Sequence, residues 1–345
     1  MDMFERLISV WIKNKQIPGA VVDVRMGDRR HIRFSGGHLF SDEASQPMTM
    51  STVFDAASLT KVVVTLPSIV QLAQSGKLLL SDPIQKYVPK FRHDRVTIRH
   101  CLQHTSGLPA DVPGYRNRYA TGDLLREIVE QPLEFEPGRR VLYSDPGMIL
   151  LGLIVSLVAD QPLQDYAREH IFTPMGMHNS SFNPPESWKD RIAPTEWCET
   201  GYLHGVVHDE KAHRLGGASG SAGLFTSAAD LSRYALGWLY PERYPLLSPE
   251  WVKKCFEAPI EQRGWGWQVW QGQEEILSCG KNWSIGSFGH TGFTGCSLWI
   301  DPVRELTVVF MTNAVHLGRD NAIRQLRPQL HDAVLSAISE QRSNE

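Results

Sequence analysis

The 345-residue chain has little cysteine and no excess of charge of either sign. Its five cysteines, Cys101, Cys198, Cys255, Cys279 and Cys296, are odd in number and widely spaced, and no C-x-x-C occurs. This argues against a disulfide framework or a zinc knuckle. No apolar stretch reaches the ~18–20 residues that a membrane-spanning helix needs, so no membrane span is expected. Lys plus Arg (35) nearly balances Asp plus Glu (38), and no block of five like charges is present. A nucleic-acid partner is therefore not expected. The first sixteen residues, Met1 to Gln16, lack the continuous apolar core of a signal peptide; Phe4, Leu7, Ile8, Trp11 and Ile12 recur at helical spacing with charges between them. With unpaired cysteines, this predicts a cytoplasmic location as the chain stands, and an extracytoplasmic one if a signal has been trimmed.

What is present reads as a folded chain with 42% hydrophobic residues. Its length exceeds the ~250–300 residues that one core usually supports, so two lobes are expected. Ala20 to Met26 reads as a strand, Gly27-Asp28 as a turn and His31 to Ser35 as its partner. Strand signals return in Trp265 to Trp270, Cys296 to Ile300 and Leu306 to Met311, with Asp301-Pro302 starting the last turn. A closing helix is expected from about Asp320 to Glu340, interrupted by Pro328. The middle of the chain is mostly helical. Asp145 as N-cap and Pro146 at the first position open an apolar helix over Met148 to Val158. Ser227 with Asp230 forms a capping-box pattern, and Ser248-Pro249 opens a short helix. The expected fold is α/β (α+β): an antiparallel sheet built from both chain termini and flanked by helices, with an inserted, mainly helical lobe. Residues 1–64 and 260–345 would form the sheet lobe and 65–259 the helical lobe, with an active site in the cleft between them.

Three segments carry candidate chemistry. A Ser three residues before a Lys on a helix shares a face with it, so the amine can approach the hydroxyl. The pattern occurs twice, at Ser58 to Lys61 and at Ser278 to Lys281. Ser58 opens an apolar stretch running to Gln74, at a helix N-terminus whose free N–H groups suit a developing oxyanion. Ser278 falls in a turn, where the two side chains need not meet. Taken alone, Ser58 is equally an N-cap and Lys61 a solvated lysine. In Tyr143-Ser144-Asp145, a phenol could serve as base only beside cations, and Lys61 is one candidate. The plain alternative is a half-buried aromatic followed by a helix cap. Tyr115-Arg116-Asn117 lies in a Pro- and Gly-rich loop and reads as structural. Finally, Phe288 to Gly295 places His290-Thr291-Gly292 among glycines that allow a ligand close to backbone. A glycine-kinked edge strand would look the same.

Together these segments resemble the serine β-lactamase and penicillin-binding protein superfamily, in the branch of class C β-lactamases, D-Ala-D-Ala carboxypeptidases, D-aminopeptidases and related esterases. The matching text is Phe54-Asp55-Ala56-Ala57-Ser58-Leu59-Thr60-Lys61, Leu102 to Pro109, Glu136-Pro137-Gly138, Tyr143-Ser144-Asp145, Gly223 to Ser227 and Gly289-His290-Thr291-Gly292, in family order. The resemblance implies that Ser58 is acylated and that Lys61 and Tyr143 share proton transfer. It also implies that the amides of Ser58 and Phe293 form the oxyanion hole, that His290, Thr291 and Gly292 contact substrate, and that no metal or cofactor is needed. Two departures stand out. Asp145 replaces an Asn common in the family; a carboxylate cannot donate a hydrogen bond, would stabilise protonated Lys61, and could attract a substrate ammonium. His290 replaces the Lys of many β-lactamases, and its charge is expected to vary near neutral pH. Both favour an esterase or D-amino-acid peptide hydrolase over an efficient β-lactamase. The expected partners are a small-molecule or peptide substrate, such as peptidoglycan fragments or β-lactams. The alternative is a penicillin- or peptidoglycan-peptide-binding member without efficient turnover.

Remaining features have bland readings. His104 is expected to cap or pack at a helix end. His204, His208 and His213, with Asp209 and Glu210, would form a metal site only if the segment were arranged for it, and Gly201 and Gly205 argue against a helix there. Gly216 to Gly223 lacks the Lys of a phosphate loop and reads as a close-packed turn. No G-x-S-x-G elbow occurs. Trp265, Trp267 and Trp283 could wall the cleft or belong to the core.

Overall fold

The alternating segments at the two chain ends meet in one antiparallel sheet. A computed structural model describes residues 3–27, 30–42 and 44–342; Met1 and Asp28, of the expected N-terminal segment and first turn, lie outside them. The sheet runs from the edge strand Arg30–Gly37 through Gly19–Met26, Leu306–Met311, Ser297–Asp301 and Phe288–Thr291 to the short edge Gln268–Val269. N- and C-terminal strands pair directly, with Val22 opposite Phe310 and Val24 opposite Val308.

Side-chain alternation assigns each face of this sheet. Val22, Val24, Trp299, Val308 and Phe310 pack under helices Met3–Lys13 and Ile323–Arg342, against Phe4, Ile8, Leu330 and Val334. Val21, Leu298, Ile300, Val309 and Met311 face the larger core, which contains Leu231, Tyr234 and Trp238 of helix Ala228–Leu239 and the nucleophile segment. Covering both faces buries every residue of Leu306–Met311. The nearly continuous apolar run of that strand, interrupted by Thr307, follows from this.

Several local expectations change. Pro328 lies inside the closing helix without ending it. Trp265 to Trp270 supplies only the two-residue strand Gln268–Val269, because Gly266 adopts φ +71° and turns the chain. Trp265, Trp267 and Trp283 are buried at 6%, 0% and 4% exposure, so they belong to the core and do not wall the cleft. The capping group of helix Asp145–Ala159 is Ser144, whose hydroxyl accepts the Gly147 amide at 3.3 Å. Asp145 is thereby released from the capping role assigned to it. Among the described residues no single helix is long and apolar enough to cross a membrane.

A second, three-stranded sheet, Val53–Asp55 with Leu224–Ser227 and Ser181–Phe182, leads the chain into Ser58. Ala57 takes φ +46°, a left-handed conformation that costs a non-glycine residue energy. Buried Asp55 holds this turn: one carboxylate oxygen accepts the Ala57 amide at 2.8 Å and the other the His208 amide at 2.7 Å. The run Val62-Val63-Val64, poor in helix propensity, follows as a π-turn over Lys61–Thr65 before the α-helix Leu66–Gln74.

Candidate active site

The nucleophile turn and the glycine-rich strand are brought together by absence of side chain. A Cβ on Gly292 would stand 2.4 Å from the Ala56 carbonyl oxygen. Thr294 Oγ1 donates to Asp55 O at 2.7 Å, and Arg327 donates to the carbonyls of Gly295 and Gly292. Gly289 is similarly obligatory, because the Trp299 ring would lie 2.3 Å from its Cβ. Ser58 and Thr291 therefore face one cleft of about 440 Å³, also lined by Tyr143, Arg263, His290 and Phe293.

Lys61 is fully buried and has two hydrogen-bond acceptors and one ion-pair partner. Its Nζ donates to Ser58 Oγ at 3.0 Å and Ser221 O at 2.8 Å, and pairs with Asp145 Oδ1 at 2.7 Å. An ammonium suits all three neighbours, two as a hydrogen-bond donor and the third by charge. Burial alone would lower the Lys61 pKa, but Asp145 and then Tyr143 outweigh it and the net shift is upward. For Asp145, burial opposes ionisation, yet Lys61 and Lys211 hold its carboxyl below the usual range. The second carboxylate oxygen is 3.1 Å from Lys211 Nζ. A substrate ammonium would have to share an oxygen with one of these lysines.

Tyr143 is fixed by His104. The His104 carbonyl accepts the Leu142 amide at 2.8 Å, its Nδ1 accepts the Ser144 amide at 3.1 Å, and its ring packs 4.5 Å from the Tyr143 ring. Two cations flank the same phenol, Lys61 Nζ at 5.0 Å and the Arg263 guanidinium at 5.3 Å from the ring centroid. Negative charge developing on the phenol oxygen is thus compensated from two sides.

His290 differs from expectation. Burial first, then Arg263 and Lys61, push its pKa well below the ordinary histidine value. The imidazole is therefore neutral at pH 7 rather than poised to titrate there. A carbonyl only accepts, so the 2.8 Å contact with Thr291 O places the proton on Nδ1. Nε2 is left as a lone-pair acceptor, buried and without a hydrogen-bond partner among the described residues. Phe293 is 47% exposed and stacks 5.5 Å from His208. Gly292 gives its amide to Cys296 O, whereas the Ser58 and Phe293 amides have no backbone acceptor among the described residues.

The other candidate segments resolve as structure. Ser278 Oγ accepts the Trp299 indole N–H at 2.9 Å, while the Lys281 amide is held by Asp332. His204 bonds to backbone carbonyls of residues 189 and 192, His208 to Glu196, and His213 packs on Tyr119. No group of three metal-ligating side chains gathers among the described residues. The loop around Gly220 is tightly packed, as expected, since a Cβ there would lie 2.1 Å from Met148 O. It also does more, because Ser221 O binds Lys61 and Gly220 O binds Thr65. Sequence reasoning missed Asp55, Arg263 and Lys211. For Lys211, the only local signal is Asp209, which N-caps the five-residue helix Glu210–Arg214.

Residues 4–332 match the sequence model of the Beta-lactamase family. The chain belongs to that family. Its members are serine hydrolases. A relative from Escherichia coli (strain K12), provisionally named a D-alanyl-D-alanine carboxypeptidase, is 35% identical over 306 residues, covering 78% of this chain and 70% of the relative. Solved structures share the fold. EstCE1, described as a hydrolase with promiscuous acyltransferase activity, aligns with a TM-score of 0.77 at 22% identity, over 96% of this chain and 97% of its own. The penicillin-binding protein homologue of Pyrococcus abyssi aligns at 0.75 and 22%, over 98% and 77%. The D-amino acid amidase of Ochrobactrum anthropi aligns at 0.78 and 18%, over 98% and 99%.

Proposed function

We propose that the protein is a serine acyl hydrolase that forms an acyl-enzyme on Ser58. The observation carrying this reading is the 3.0 Å contact of Ser58 Oγ with buried Lys61, at the floor of a cleft shared with Tyr143 and His290. In the proposed sequence Ser58 Oγ bonds to the acyl carbon and its proton passes into the Lys61–Tyr143 pair. The amides of Ser58 and Phe293 receive the oxyanion. Collapse expels an amine or alcohol, which takes the proton, and water then splits the ester and restores the serine hydroxyl. The Asp145 carboxylate and the two oxygen acceptors around Lys61 favour an ammonium at rest, which shifts the accepting role toward Tyr143.

On the substrate side, Arg263 Nη1 is buried without a hydrogen-bond partner among the described residues. A guanidinium in that state suits an anionic group on the substrate. This supports a D-amino-acid peptide ending in a carboxylate, in keeping with the provisional name of the Escherichia coli relative. Neutral His290 would accept an N–H or O–H from that substrate. A second reading, a penicillin or peptide binder with slow turnover, draws on the same Asp145–Lys61 pair, which disfavours the neutral amine. Release of D-alanine from D-Ala-D-Ala peptides separates the two: many equivalents per chain indicate turnover, whereas a single equivalent with a persisting acyl-enzyme supports the binder. Neither acylation nor release would remove both.

A further inference from the structure

A second buried lysine stands behind the first. Lys211 is 2% exposed, and its Nζ lies 2.9 Å from Asp111, 3.1 Å from Asp145 and 3.3 Å from Asp209. The Tyr115 ring closes the fourth side at 4.8 Å. Asp145 therefore bridges two lysines, one oxygen on each, and Asp111 and Asp209 bind only the rear one. The groups facing the front lysine are Ser58, Tyr143 and Asp145, with Arg263, His104 and His290 packed around the phenol.

We infer that Lys211 is a positioning residue for acyl transfer, one that fixes the orientation of Asp145 and withdraws part of its charge from Lys61. This rests on the proposed acyl-enzyme reading of Ser58. A carboxylate shared between two cations binds each less tightly than it would bind one alone. Without Lys211, Asp145 is free to rotate and directs its full charge at Lys61. The proton is then harder to remove from the pair, whichever of Lys61 and Tyr143 accepts from the serine. Upward displacement of the Lys211 pKa agrees with this arrangement: burial opposes the charge, but Asp209, Asp145 and Asp111 together overcome it. A structural lysine that merely neutralises Asp111 and Asp209 would have no such effect.

The test is the pH profile of kcat/KM for p-nitrophenyl acetate, with fluorophosphonate labelling of Ser58 followed in every variant. Lys211→Met is expected to move the acid limb upward by about 1 pH unit and to lower the neutral-pH rate about tenfold. Asp111→Asn leaves more of the Lys211 charge for Asp145 and is expected to move the limb the other way. Lys211→Arg, which keeps the cation, should return the limb toward the wild-type position. If Lys211→Met does not fold, the direction of the Asp111→Asn shift decides. Limbs that stay in place while melting temperatures fall would overturn the inference and leave Lys211 a stabilising residue. Absence of label on wild-type Ser58 would instead reject the acyl-enzyme reading.

Discussion

Replacing Asp145 by Asn alters the charge on Lys61 with little change of shape. The two groups are 2.7 Å apart. Unit charges at 4 Å attract by about 4 kcal/mol at an effective dielectric of 20. The Asn dipole recovers part of this, and Lys61 keeps its bonds to Ser58 Oγ and Ser221 O. A net loss of about 1.4 kcal/mol for the protonated pair corresponds to roughly one pKa unit, and so to about tenfold more of the Lys61–Tyr143 pair in its proton-accepting form. Acylation by benzylpenicillin at pH 7 should rise about tenfold. The stability cost is smaller than the 3–5 kcal/mol typical of a broken buried pair, about 2 kcal/mol, because Lys211 retains Asp111 and Asp209. With an unfolding entropy of ~2.1 cal/mol/K per residue, that lowers Tm by about 3 °C. Quenched-flow intact-mass measurement and thermal melting give both quantities. A variant that melts within a few degrees of wild type yet acylates no faster would refute the reasoning and reduce Asp145 to a scaffold residue.

Other expectations follow from single contacts. Gly292→Ala must push the strand away from Ala56 O and should lower the Ser58 labelling rate at least about a hundredfold, since a displacement of ~1 Å suffices for that; a near-normal rate would disprove the close approach. Glu196 is held at about 2, first by its hydrogen bond to His208 and then, against burial, by Arg319. Its stabilisation is present above the unfolded value of ~4.3 and is lost as pH falls through the folded one, so Glu196→Gln should flatten the acid fall in Tm between about pH 4.5 and 2. An equally steep fall would mean that the pair contributes nothing. Of the five cysteines, Cys198 should react fastest with a thiol reagent in the native state: its hydrogen bond to Thr200 lowers its pKa, whereas burial raises Cys101 to about 12 and Cys296 to about 11. Two or more fast thiols would contradict the burial pattern.

The catalytic motif was legible because each of its three segments carries a local signature of its own. Ser58 and Lys61 share one turn, Tyr143 precedes a helix start, and His290-Thr291-Gly292 sits in a glycine-marked strand. Strand alternation likewise exposed the sheet, down to the Asp301 turn. What stayed hidden depends on distant segments converging. Nothing local to Lys211 distinguishes a buried ion-pair centre from a solvated charge on a short helix, because Asp111 and Asp145 arrive from other parts of the chain. Arg263 is invisible for the same reason. Asp145 was misread as the cap because Ser144 and Asp145 are both good capping residues, and only the backbone of Ser144, at φ −128° and ψ 119°, settles which one turns into the helix. The titration of His290 was misjudged because burial and two neighbouring cations, absent from any sequence window, govern it.

The central claim is that Ser58 is the nucleophile. Intact mass spectrometry of the wild type and Ser58→Ala after exposure to a fluorophosphonate and to benzylpenicillin tests it directly. One adduct per chain is expected on the wild type, mapped to the peptide containing Ser58, and none on Ser58→Ala. An adduct that persists in Ser58→Ala, or a wild type that takes neither probe, would contradict it.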